Sequence, residues 1–505
     1  MDGCRVLLDG KEYFVRKGSC LGDVLRDSGF GNMICGGHGK CGKCRVFCKG
    51  GLSAPEETER RILGDDLSKG VRLACRAYVE GDCSVSTEPS GKAVIETDGE
   101  IPEFELEPLF KKYGAAVDVG TTTVALRLYD RNGQKLAEKT ALNPQRTYGA
   151  DVVTRMEACL KGETAGMALA IRGCIDTLAS EASESAGIDP HDIDAAVITG
   201  NTVMLSFLTE TDTEPLTHAP FNAERLFGEF LTAEDIHLGA FALNAVVYLP
   251  PCISAFIGAD TVTALLASGT AKNDAKRRGV SVMTDIGTNG ETVLVLDEEI
   301  LACSTAAGPA FEGAGISMGM GGSEGAIDKV SADGEGNIEA HVIGETEPKG
   351  ICGSGIIDAV KVLVELGIVD GSGYMEEDPA VIRLPVTVSQ KDVRAVQLAK
   401  SAICAGIRTL LDTADIAPDM VESLYIAGGF GSFLDVANAA EIGLIPGELK
   451  DKVKVLGNAA LAGASAILLS RPLVDETKEI TGKVRVVELA ANPLFAEEYM
   501  NGMLF

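Results

Sequence analysis

The chain has 505 residues, of which 46% are apolar, and it carries a formal net charge of −29 at pH 7. This length predicts more than one domain, and the acidic balance argues against nucleic acid or an anionic membrane surface as a partner. The charge is uneven, because residues 1–90 hold 14 basic and 13 acidic side chains whereas the remaining residues hold 31 and 61. We therefore expect the N-terminal part to be a chemically distinct unit.

No charged segment followed by an apolar core opens the sequence, so we expect no secretory signal. The longest apolar stretches, residues 241–259 and 455–470, are interrupted by Pro250, Pro251 and Asn458. They are expected to be buried elements rather than membrane spans. Fourteen cysteines without a secretion signal indicate a reducing cytoplasm, in which thiols bind metals rather than form disulfides.

The first elements in chain order predict a small β-grasp domain. Residues 5–8 and 13–15 alternate in character around a turn at Gly10 and Lys11, which predicts a hairpin. Residues 21–28 predict a short helix that ends at Gly29, and residues 46–47 and 84–86 predict further strands. A Pro- and Glu-rich segment, residues 88–112, predicts an ordered but irregular linker.

Three cysteines lie on a glycine-rich loop after the predicted helix, and a fourth follows further along the chain. These thiols are Cys35, Cys41, Cys44 and Cys75. Soft thiolates in this arrangement bind iron–sulfur clusters or zinc. The spacing C-x5-C-x2-C…C is one residue longer than the plant-type [2Fe–2S] pattern, and it lacks the second C-x2-C pair of a common zinc site. The sequence therefore favours a [2Fe–2S] cluster over four unrelated buried cysteines.

The roles of several residues near this loop stay open from the sequence. Cys48 and Cys83 are rivals of Cys75 for the place of the fourth ligand. The loop histidine, His38, either tunes the cluster through a hydrogen bond or is simply exposed. The arginines on either side of Cys75, at positions 72 and 76, either steer an acidic partner or are solvated.

The remainder of the chain contains an internal repeat. The first copy holds Asp118, Gly120, Thr121, Thr122 and Thr123, and the second holds Asp285, Gly287, Thr288, Asn289 and Gly290. Each copy joins two apolar strands through Asp-x-Gly-Thr, in which the Asp can ligate Mg²⁺ and the backbone N–H groups and hydroxyls can hold phosphate. One Asp-x-Gly is also an ordinary turn, but two copies in corresponding positions indicate a phosphate-binding cleft.

Glycine turns follow other predicted strands. They contain Gly200 with Asn201; Gly353, Ser354 and Gly355; and Gly428, Gly429 and Phe430. Turns that lead from a strand into a helix commonly receive nucleotides, although each one alone can be a turn or a helix start. Residues 308–325, rich in Gly, Met and Ser, are expected to be a mobile loop at the edge of a cleft or at a partner contact.

The order of these motifs resembles the ATPase superfamily of actin, heat-shock ATPases and sugar kinases (ASKHA). This resemblance implies an α/β, ribonuclease H-like fold of two related lobes with ATP and Mg²⁺ in the cleft. Asp118 and Asp285 would then organise Mg²⁺ as catalytic residues, and the Thr and Gly residues of the repeat would contact phosphate. The turns at 353–355 and 428–430 would surround the ribose and adenine.

A closer resemblance, over nearly the whole chain, is to reductive activators of corrinoid proteins. The matching segments include Asn143-Pro-Gln145-Arg146, Thr199-Gly-Asn-Thr-Val-Met204, Gly308-Pro-Ala-Phe-Glu312-Gly313 and Leu456-Gly-Asn458. The resemblance implies Cys75 as the fourth cluster ligand, because Arg72-Leu-Ala-Cys75 is similar to the closing segment of ferredoxin domains. It also implies a ferredoxin-like domain at 1–88, a linker at 89–112 and ATPase lobes at 113–275 and 276–505. Since the linker leads almost directly to Asp118, we expect no extra middle domain.

The family implies electron transfer from the cluster to cobalt(II) in a corrinoid protein of a methyltransferase system, with ATP turnover as the driving force. A cytoplasmic homodimer that receives electrons from a low-potential donor is expected. The alternatives are an ATP-coupled activator of another metalloenzyme, of the radical dehydratase type, and a kinase of the same superfamily. An actin-like scaffold with a redox sensor is the non-enzymatic alternative.

Overall fold

The computed structural model describes residues 3–8, 11–27, 37–39, 42, 44–86, 104–149, 151–271, 279–428 and 434–505. The chain divides into two compact units, of which the first contains Met1–Gly91 and Asn143–Ile171 and the second contains Lys92–Leu142 and Arg172–Phe505. None of the helices in these ranges is both long enough and apolar enough to cross a membrane.

The first unit contains a five-stranded sheet with two short helices. Its elements are β1 Gly3–Leu8, β2 Lys11–Arg16, α1 Leu21–Asp27, β3 Arg45–Leu52, α2 Glu57–Leu63, β4 Val71–Leu73 and β5 Val79–Ser86. The strand order is β2-β1-β5-β3-β4, with β1 and β5 parallel. Alternate residues of β1, among them Val6 and Leu8, are buried in its core. The predicted hairpin is present as β1 and β2, and the turn at residues 9–10 and the helix end at 28–29 lie outside the described residues.

Residues 143–171 of the first unit are helical. They form α3 Val152–Ala158, a π-helical turn Cys159–Glu163 and the first part of α4 Thr164–Ala186. Asp151 caps α3, because its carboxylate accepts a hydrogen bond of 2.8 Å from the backbone N–H of Thr154. The fully buried Arg155 donates from Nε to the Gly149 carbonyl at 3.0 Å, which fixes the loop before the helix.

The second unit contains two six-stranded sheets. The first half supplies β6 Tyr113–Val119, β7 Thr123–Asp130, β8 Lys135–Leu142, β9 Ile193–Gly200, α5 Thr202–Thr209, β10 Glu229–Thr232, β11 Val246–Leu249 and α6 Ala259–Ser268. The strand order is β10-β11-β9-β6-β7-β8. The Asp-x-Gly-Thr segment of the first copy connects β6 to β7, which pair as an antiparallel hairpin, and β9 lies parallel to β6.

The second half repeats this arrangement. It supplies β12 Val280–Ile286, β13 Gly290–Val295, β14 Ile300–Thr305, β15 Ala326–Ala332, β16 Ile338–Val342, β17 Gly350–Ile351, α7 Gly353–Glu365, β18 Ala380–Arg383, β19 Val386–Val388, α8 Gln390–Thr413, β20 Val421–Ala427, α9 Val436–Glu441, β21 Val453–Gly457, α10 Ala459–Leu469, α11 Pro472–Lys483, β22 Val484–Val486 and α12 Pro493–Asn501. Its large sheet has the order β21-β20-β12-β13-β14-β22. A parallel strand, β20, again lies beside the hairpin β12–β13, so the internal repeat and the two-lobed α/β fold are confirmed.

The helices α6 and α10 occupy the core that joins the two sheets. One continuous apolar cluster includes Val197 of the first sheet, Met283 of the second, Leu265 of α6 and Leu461 of α10. The apolar stretches 241–259 and 455–470 contribute to this buried core, as predicted. This packing places the two Asp-x-Gly-Thr turns on one cavity, described below.

Candidate functional site

The first candidate site holds two of the four predicted cluster cysteines. Cys44 lies directly before β3, and Cys75 lies just after β4. Since β3 and β4 are antiparallel, with Arg45 opposite Leu73, the two cysteines meet at one end of the strand pair. Both are buried, and their sulfurs are 3.2 Å apart. This arrangement suits two thiolates that bind the same metal centre. Cys35 and Cys41 lie outside the described residues.

A buried ion pair holds the segment that ends in Cys75. Arg72 donates to the carboxylate of Glu59 on α2 at 2.9 and 2.8 Å, and the backbone N–H of Leu73 donates to the same carboxylate at 3.0 Å. Glu59 has no exposed surface. Burial raises the pKa of Glu59, but the hydrogen bonds from Arg72 and Leu73 outweigh it and hold the pKa below its ordinary value. The interpretation of Arg72 as a steering or solvated side chain was therefore wrong.

The other arginine beside Cys75 contacts the cysteine loop. Arg76 Nη2 donates to the His38 carbonyl at 2.6 Å, while the side chain of His38 is exposed. Gly39 has a φ of +69°, a conformation that favours glycine, and a Cβ there would lie 2.3 Å from Arg76 Nε and displace the arginine side chain. Arg76 Nε is buried and has no hydrogen-bond partner within the described residues. A buried donor next to Cys75 fits an anionic cluster held by these thiolates.

The rival cysteines lie in less suitable surroundings for a metal ligand. Burial, with a contribution from Cys83, raises the pKa of the Cys48 thiol to about 12. Burial likewise raises the pKa of Cys83, with a contribution from Cys4. A high pKa disfavours the thiolate, which is the form that binds metals. The two rivals also lie within the strands β3 and β5, whereas the sulfur of Cys75 contacts that of Cys44, and this contact favours Cys75 as the fourth ligand.

The second candidate site is a cavity of about 440 Å³ in the second unit. Many of the residues that the sequence predicts for a nucleotide site line this cavity. They are Asp118, Gly120, Thr121, Thr122, Thr123, Asn201, Asp285, Gly287, Thr288, Asn289, Gly353, Ser354 and Gly428. Gly200, Gly290 and Gly355 were predicted to contact nucleotide but are not among the lining residues. A Cβ on Gly355 would lie 2.2 Å from the Ile327 carbonyl, so this glycine serves the packing of α7 against β15. Gly429 and Phe430 lie outside the described residues.

The two predicted catalytic aspartates occupy corresponding places at the ends of β6 and β12. Asp118 Oδ2 accepts a hydrogen bond of 3.0 Å from Asn458 Nδ2, at the start of α10. Gly428, with a φ of +102°, follows β20 beside Asp285, and a Cβ there would lie 2.6 Å from Asp285 Oδ1. Only glycine permits both this backbone conformation and this close approach. The parallel pairing of β12 with β20 thus brings the second aspartate and the glycine turn together.

Acidic side chains are concentrated in the cavity. Burial raises the pKa of Asp118 to about 6, and burial with the charges of Asp118 and Glu312 raises that of Asp285 to about 7. The pKa values of Asp260 and Glu291 are also raised, first by burial and then by neighbouring carboxylates. The described lining contains no Lys or Arg. A divalent cation would relieve this repulsion, so the residues present fit Mg²⁺.

The protein side chains alone do not complete a metal site. In the described ranges, no three Asp, Glu, His or Cys side chains come together as a group that could hold a metal ion. Mg²⁺ commonly takes one or two carboxylates and completes its coordination with waters and substrate phosphates. The cavity therefore fits Mg²⁺ bound together with a nucleotide rather than an all-protein metal cage.

One glutamate connects the two halves of the repeat. Glu312 accepts hydrogen bonds from the hydroxyl groups of Thr122, in the first copy, and Thr288, in the second, the latter at 3.1 Å. It lies in a short 3₁₀ helix, Pro309–Glu312, within the segment expected to be a mobile loop. Residues 320–322 of that segment also line the cavity, so part of it lies at the cleft.

Sequence reasoning missed several lining residues. Glu312 and Asn458 lie within segments that carry the family resemblance, and Glu291 directly follows the second copy of the repeat, but the motifs gave none of the three a role. Asp260 lies in the first turn of α6, directly after the apolar stretch 241–259. An acidic residue at the end of an apolar stretch is the sequence feature that could have predicted it. Asp328 and His341 had no signal, because only the folding of β15 and β16 brings them to the cavity.

Comparison with known protein families covers almost the entire chain. The model of the 2Fe-2S iron-sulfur cluster binding domain matches residues 6–80, that of the RACo middle region matches 113–273, and that of the C-terminal ASKHA domain of RACo matches 279–505. The middle region is thus the segment expected to be the first ATPase lobe, and it begins where the predicted linker ends.

Individual relatives match over most of their length. The chain is 34% identical over 459 residues to the corrinoid activation enzyme RamQ of Eubacterium limosum, covering 85% of this chain and 75% of that protein. It is 27% identical over 401 residues to the [Co(II) methylated amine-specific corrinoid protein] reductase of Methanosarcina barkeri, covering 74% and 73%. A solved structure of a reductive activator for corrinoid, iron-sulfur protein aligns over 99% of this chain and 98% of that chain, with 26% identity and a TM-score of 0.74.

Proposed function

Because the chain belongs to the RACo family of reductive activators of corrinoid proteins, we propose that it reduces cobalt(II) in a corrinoid protein to cobalt(I) at the expense of ATP. The reduction takes one electron, which a cluster bound by Cys35, Cys41, Cys44 and Cys75 would supply. A low-potential donor restores the electron. The products are a cobalt(I) corrinoid protein that is competent for methyl transfer, together with ADP and phosphate.

The observation that carries the proposal is that one chain combines a thiolate site with a two-lobed acidic cavity. The sulfurs of Cys44 and Cys75 are adjacent in the first unit, and the second unit presents Asp118 and Asp285 to one cavity. A sugar or carboxylate kinase needs only the second of these. An electron carrier alone needs only the first.

The thiolates of Cys35, Cys41, Cys44 and Cys75 hold the cluster in this proposal. When bound, a [2Fe–2S] cluster supplies a one-electron carrier. The Glu59–Arg72 pair fixes the position of Cys75, and Arg76 ties the cysteine loop to the same segment through the His38 carbonyl. The ligand set is therefore supported by groups that are themselves held by hydrogen bonds.

ATP acts through contact with both lobes. In the proposal, Asp118 and Asp285 ligate Mg²⁺ directly or through water, while Thr121, Thr122, Thr288 and Asn289 hold the phosphates. Thr122 and Thr288 share Glu312 as an acceptor, so a phosphate that replaced Glu312 as the acceptor of these hydroxyls would engage both halves of the repeat. A ligand shifts a conformational equilibrium only if it binds the two states differently. ATP and its hydrolysis products satisfy this condition, because only ATP carries the terminal phosphate.

Four further features complete the proposal. The protein acts in the cytoplasm, in keeping with its 14 cysteines. It functions as a homodimer, and its electrons come from a low-potential donor. The acidic second unit does not attract nucleic acid.

The test is the absorption spectrum of a cobalt(II) corrinoid protein, followed over time. With a low-potential reductant, Mg²⁺ and ATP, catalytic amounts of the protein should convert the spectrum to that of cobalt(I). Without ATP the conversion should stop, although the cluster is still reduced. Phosphorylation of a sugar or carboxylic acid with no change at cobalt would favour a kinase. Activation of a dehydratase with no change at cobalt would favour the other activator class.

A further inference from the structure

The cavity contains a second connected group of polar residues, separate from the two phosphate hairpins. Asp328 of β15 and His341 of β16 line the cavity, and His341 Nδ1 lies 2.5 Å from Asp328 Oδ1. Ser354, at the start of α7, donates from its hydroxyl to the Asp328 backbone carbonyl at 2.8 Å. Cys352 Sγ in turn lies 3.4 Å from Ser354 Oγ. These four residues come from three adjacent elements of the second lobe.

A backbone irregularity directs Asp328 to this place. The register of β15 with β16 shifts between Ile327 and Lys329, so Asp328 is the extra residue at a bulge. Bulges are frequent next to active sites, where they change the direction of a side chain. The Asp328 side chain is only 13% exposed, whereas that of His341 is 56% exposed. The carboxylate is therefore inside the cavity, and the imidazole is closer to solvent.

The chemistry of this group suits neutral hydroxyls rather than phosphate. A carboxylate has only acceptor oxygens, so it binds the donors that hydroxyls offer directly, whereas it can share a site with a phosphate only through a bridging cation. One oxygen of Asp328 faces His341, and the other has no hydrogen-bond partner in the part of the chain that the structure describes. Acidic residues recognise ribose hydroxyls in this way in other nucleotide sites.

We propose that Asp328, oriented by His341, binds the ribose hydroxyls of ATP and thereby makes the activator specific for ribonucleotides. Asp328 is then a specificity-determining residue, and His341 is a positioning residue. This inference rests on the proposed function, because it assigns the nucleoside end of the same ATP site.

The experiment measures dissociation constants of Mg²⁺ complexes of ATP, 2′-deoxy-ATP and 3′-deoxy-ATP by equilibrium titration with the full chain. The wild-type protein should bind ATP about tenfold or more tightly than at least one deoxy analogue, the effect of losing one charge-assisted hydrogen bond. Asp328→Asn should weaken ATP binding by a similar factor and remove most of the discrimination. The matched control is Glu339→Gln, which removes an exposed charge from β16 outside the cavity lining and should preserve the discrimination.

The role of His341 has its own readout. His341→Ala should reduce the ratio between ATP and the deoxy analogue, and His341→Asn should partly restore it, since an amide can replace Nδ1. An unchanged ratio in Asp328→Asn, with ATP still bound, would overturn this inference alone. A wild-type protein that binds no ATP would overturn both this inference and the proposed function. Far-ultraviolet circular dichroism and cluster absorbance establish that each variant is folded.

Discussion

At the scale of single residues, both sites depend on groups whose charge is controlled by their neighbours. Asp118 and Asp285 line a cavity that contains other acids and no described Lys or Arg, so a bound cation would stabilise their charged forms. Cys48 differs from these groups, because burial raises the pKa of its thiol to about 12 and it lies within β3, away from the contact between Cys44 and Cys75. A cysteine thus either binds a metal or packs in the core, according to its surroundings.

Replacement of any one cluster cysteine by Ala should remove the cluster. We expect Cys35→Ala, Cys41→Ala, Cys44→Ala and Cys75→Ala each to bleach the visible absorption and to lower the content from two irons and two sulfides per chain. Cys48→Ala and Cys83→Ala are the matched controls and should retain both. An intact cluster in Cys75→Ala would show that the fourth ligand lies elsewhere.

Replacement of a magnesium aspartate should impair ATP hydrolysis. Asp118→Asn and Asp285→Asn should each lower the turnover number on the order of 10²-fold, because each removes one charged ligand of the phosphate–metal site. Steady-state phosphate release provides the measurement. The control variant is Asp333→Asn, because Asp333 lies in the turn after β15 and outside the cavity lining. Normal hydrolysis by both variants would contradict the assignment of this cavity as the ATP site.

At the scale of elements, the pairing of short strands and helices determines where each functional group lies. The antiparallel pair β3–β4 joins Cys44 to Cys75, and the Ala74 N–H donates to the Cys44 carbonyl at 2.8 Å. The helix α2 stabilises this corner through Glu59, which binds both Arg72 and a backbone N–H of the closing segment. The cluster site therefore requires the ion pair as well as the thiols.

Loss of this ion pair should destabilise the cluster domain. Glu59→Gln leaves the Arg72 charge buried without its counterion, which should cost about 3 kcal/mol of unfolding free energy. The measurement is denaturant unfolding followed by cluster absorbance. Glu57→Gln, an exposed substitution on the same helix, should change the stability little. Equal stability of both variants would contradict a supporting role for Glu59.

The same pair predicts a pH dependence. Because the pKa of folded Glu59 is below its ordinary value, the pair contributes stability above the ordinary pKa and loses it as the pH falls through the folded pKa. Wild-type protein should thus show an acid-side loss of cluster stability that is smaller in Glu59→Gln. Thermal melts of the cluster absorbance at a series of acidic pH values measure the difference. Parallel profiles would exclude Glu59 as the titrating group.

At the scale of the whole molecule, the thiolate site and the ATP site belong to separate compact units. Each unit has its own apolar core, so loss of one cofactor need not unfold the other unit. The charge follows the same division along the sequence, with the excess of acidic residues after residue 90. Electron transfer to cobalt is the step that needs both units.

Loss of the cluster should separate the two activities. A protein with Cys44→Ala and Cys75→Ala should keep ATPase activity but reduce no cobalt(II). Asp285→Asn should show the reverse loss, with a reducible cluster and no ATP-dependent cobalt(I). Phosphate release, cluster reduction and the corrinoid spectrum measure the three steps. Cobalt reduction by the cluster-free protein would contradict the proposed electron path.

The sequence by itself determined the fold class, the internal repeat and most of the motif residues that line the cavity. Apolar strands on either side of Asp-x-Gly-Thr are a local pattern, and the same pattern in both halves forms hairpins in equivalent positions of the two sheets. The cysteine spacing is local as well, because three of the four cysteines fall within residues 35–44 of the sequence. Local patterns of this kind can be read without knowledge of long-range contacts.

Only the tertiary structure decided which distant residues join the sites. The partnership of Glu59 with Arg72 depends on α2 packing against β4, and Asp328 reaches the cavity through a bulge between paired strands. Asn458 contacts Asp118 across 340 positions of the chain because α10 packs in the core between the two sheets. Such contacts follow from the packing of whole elements, which leaves no periodic or spacing signal in the sequence.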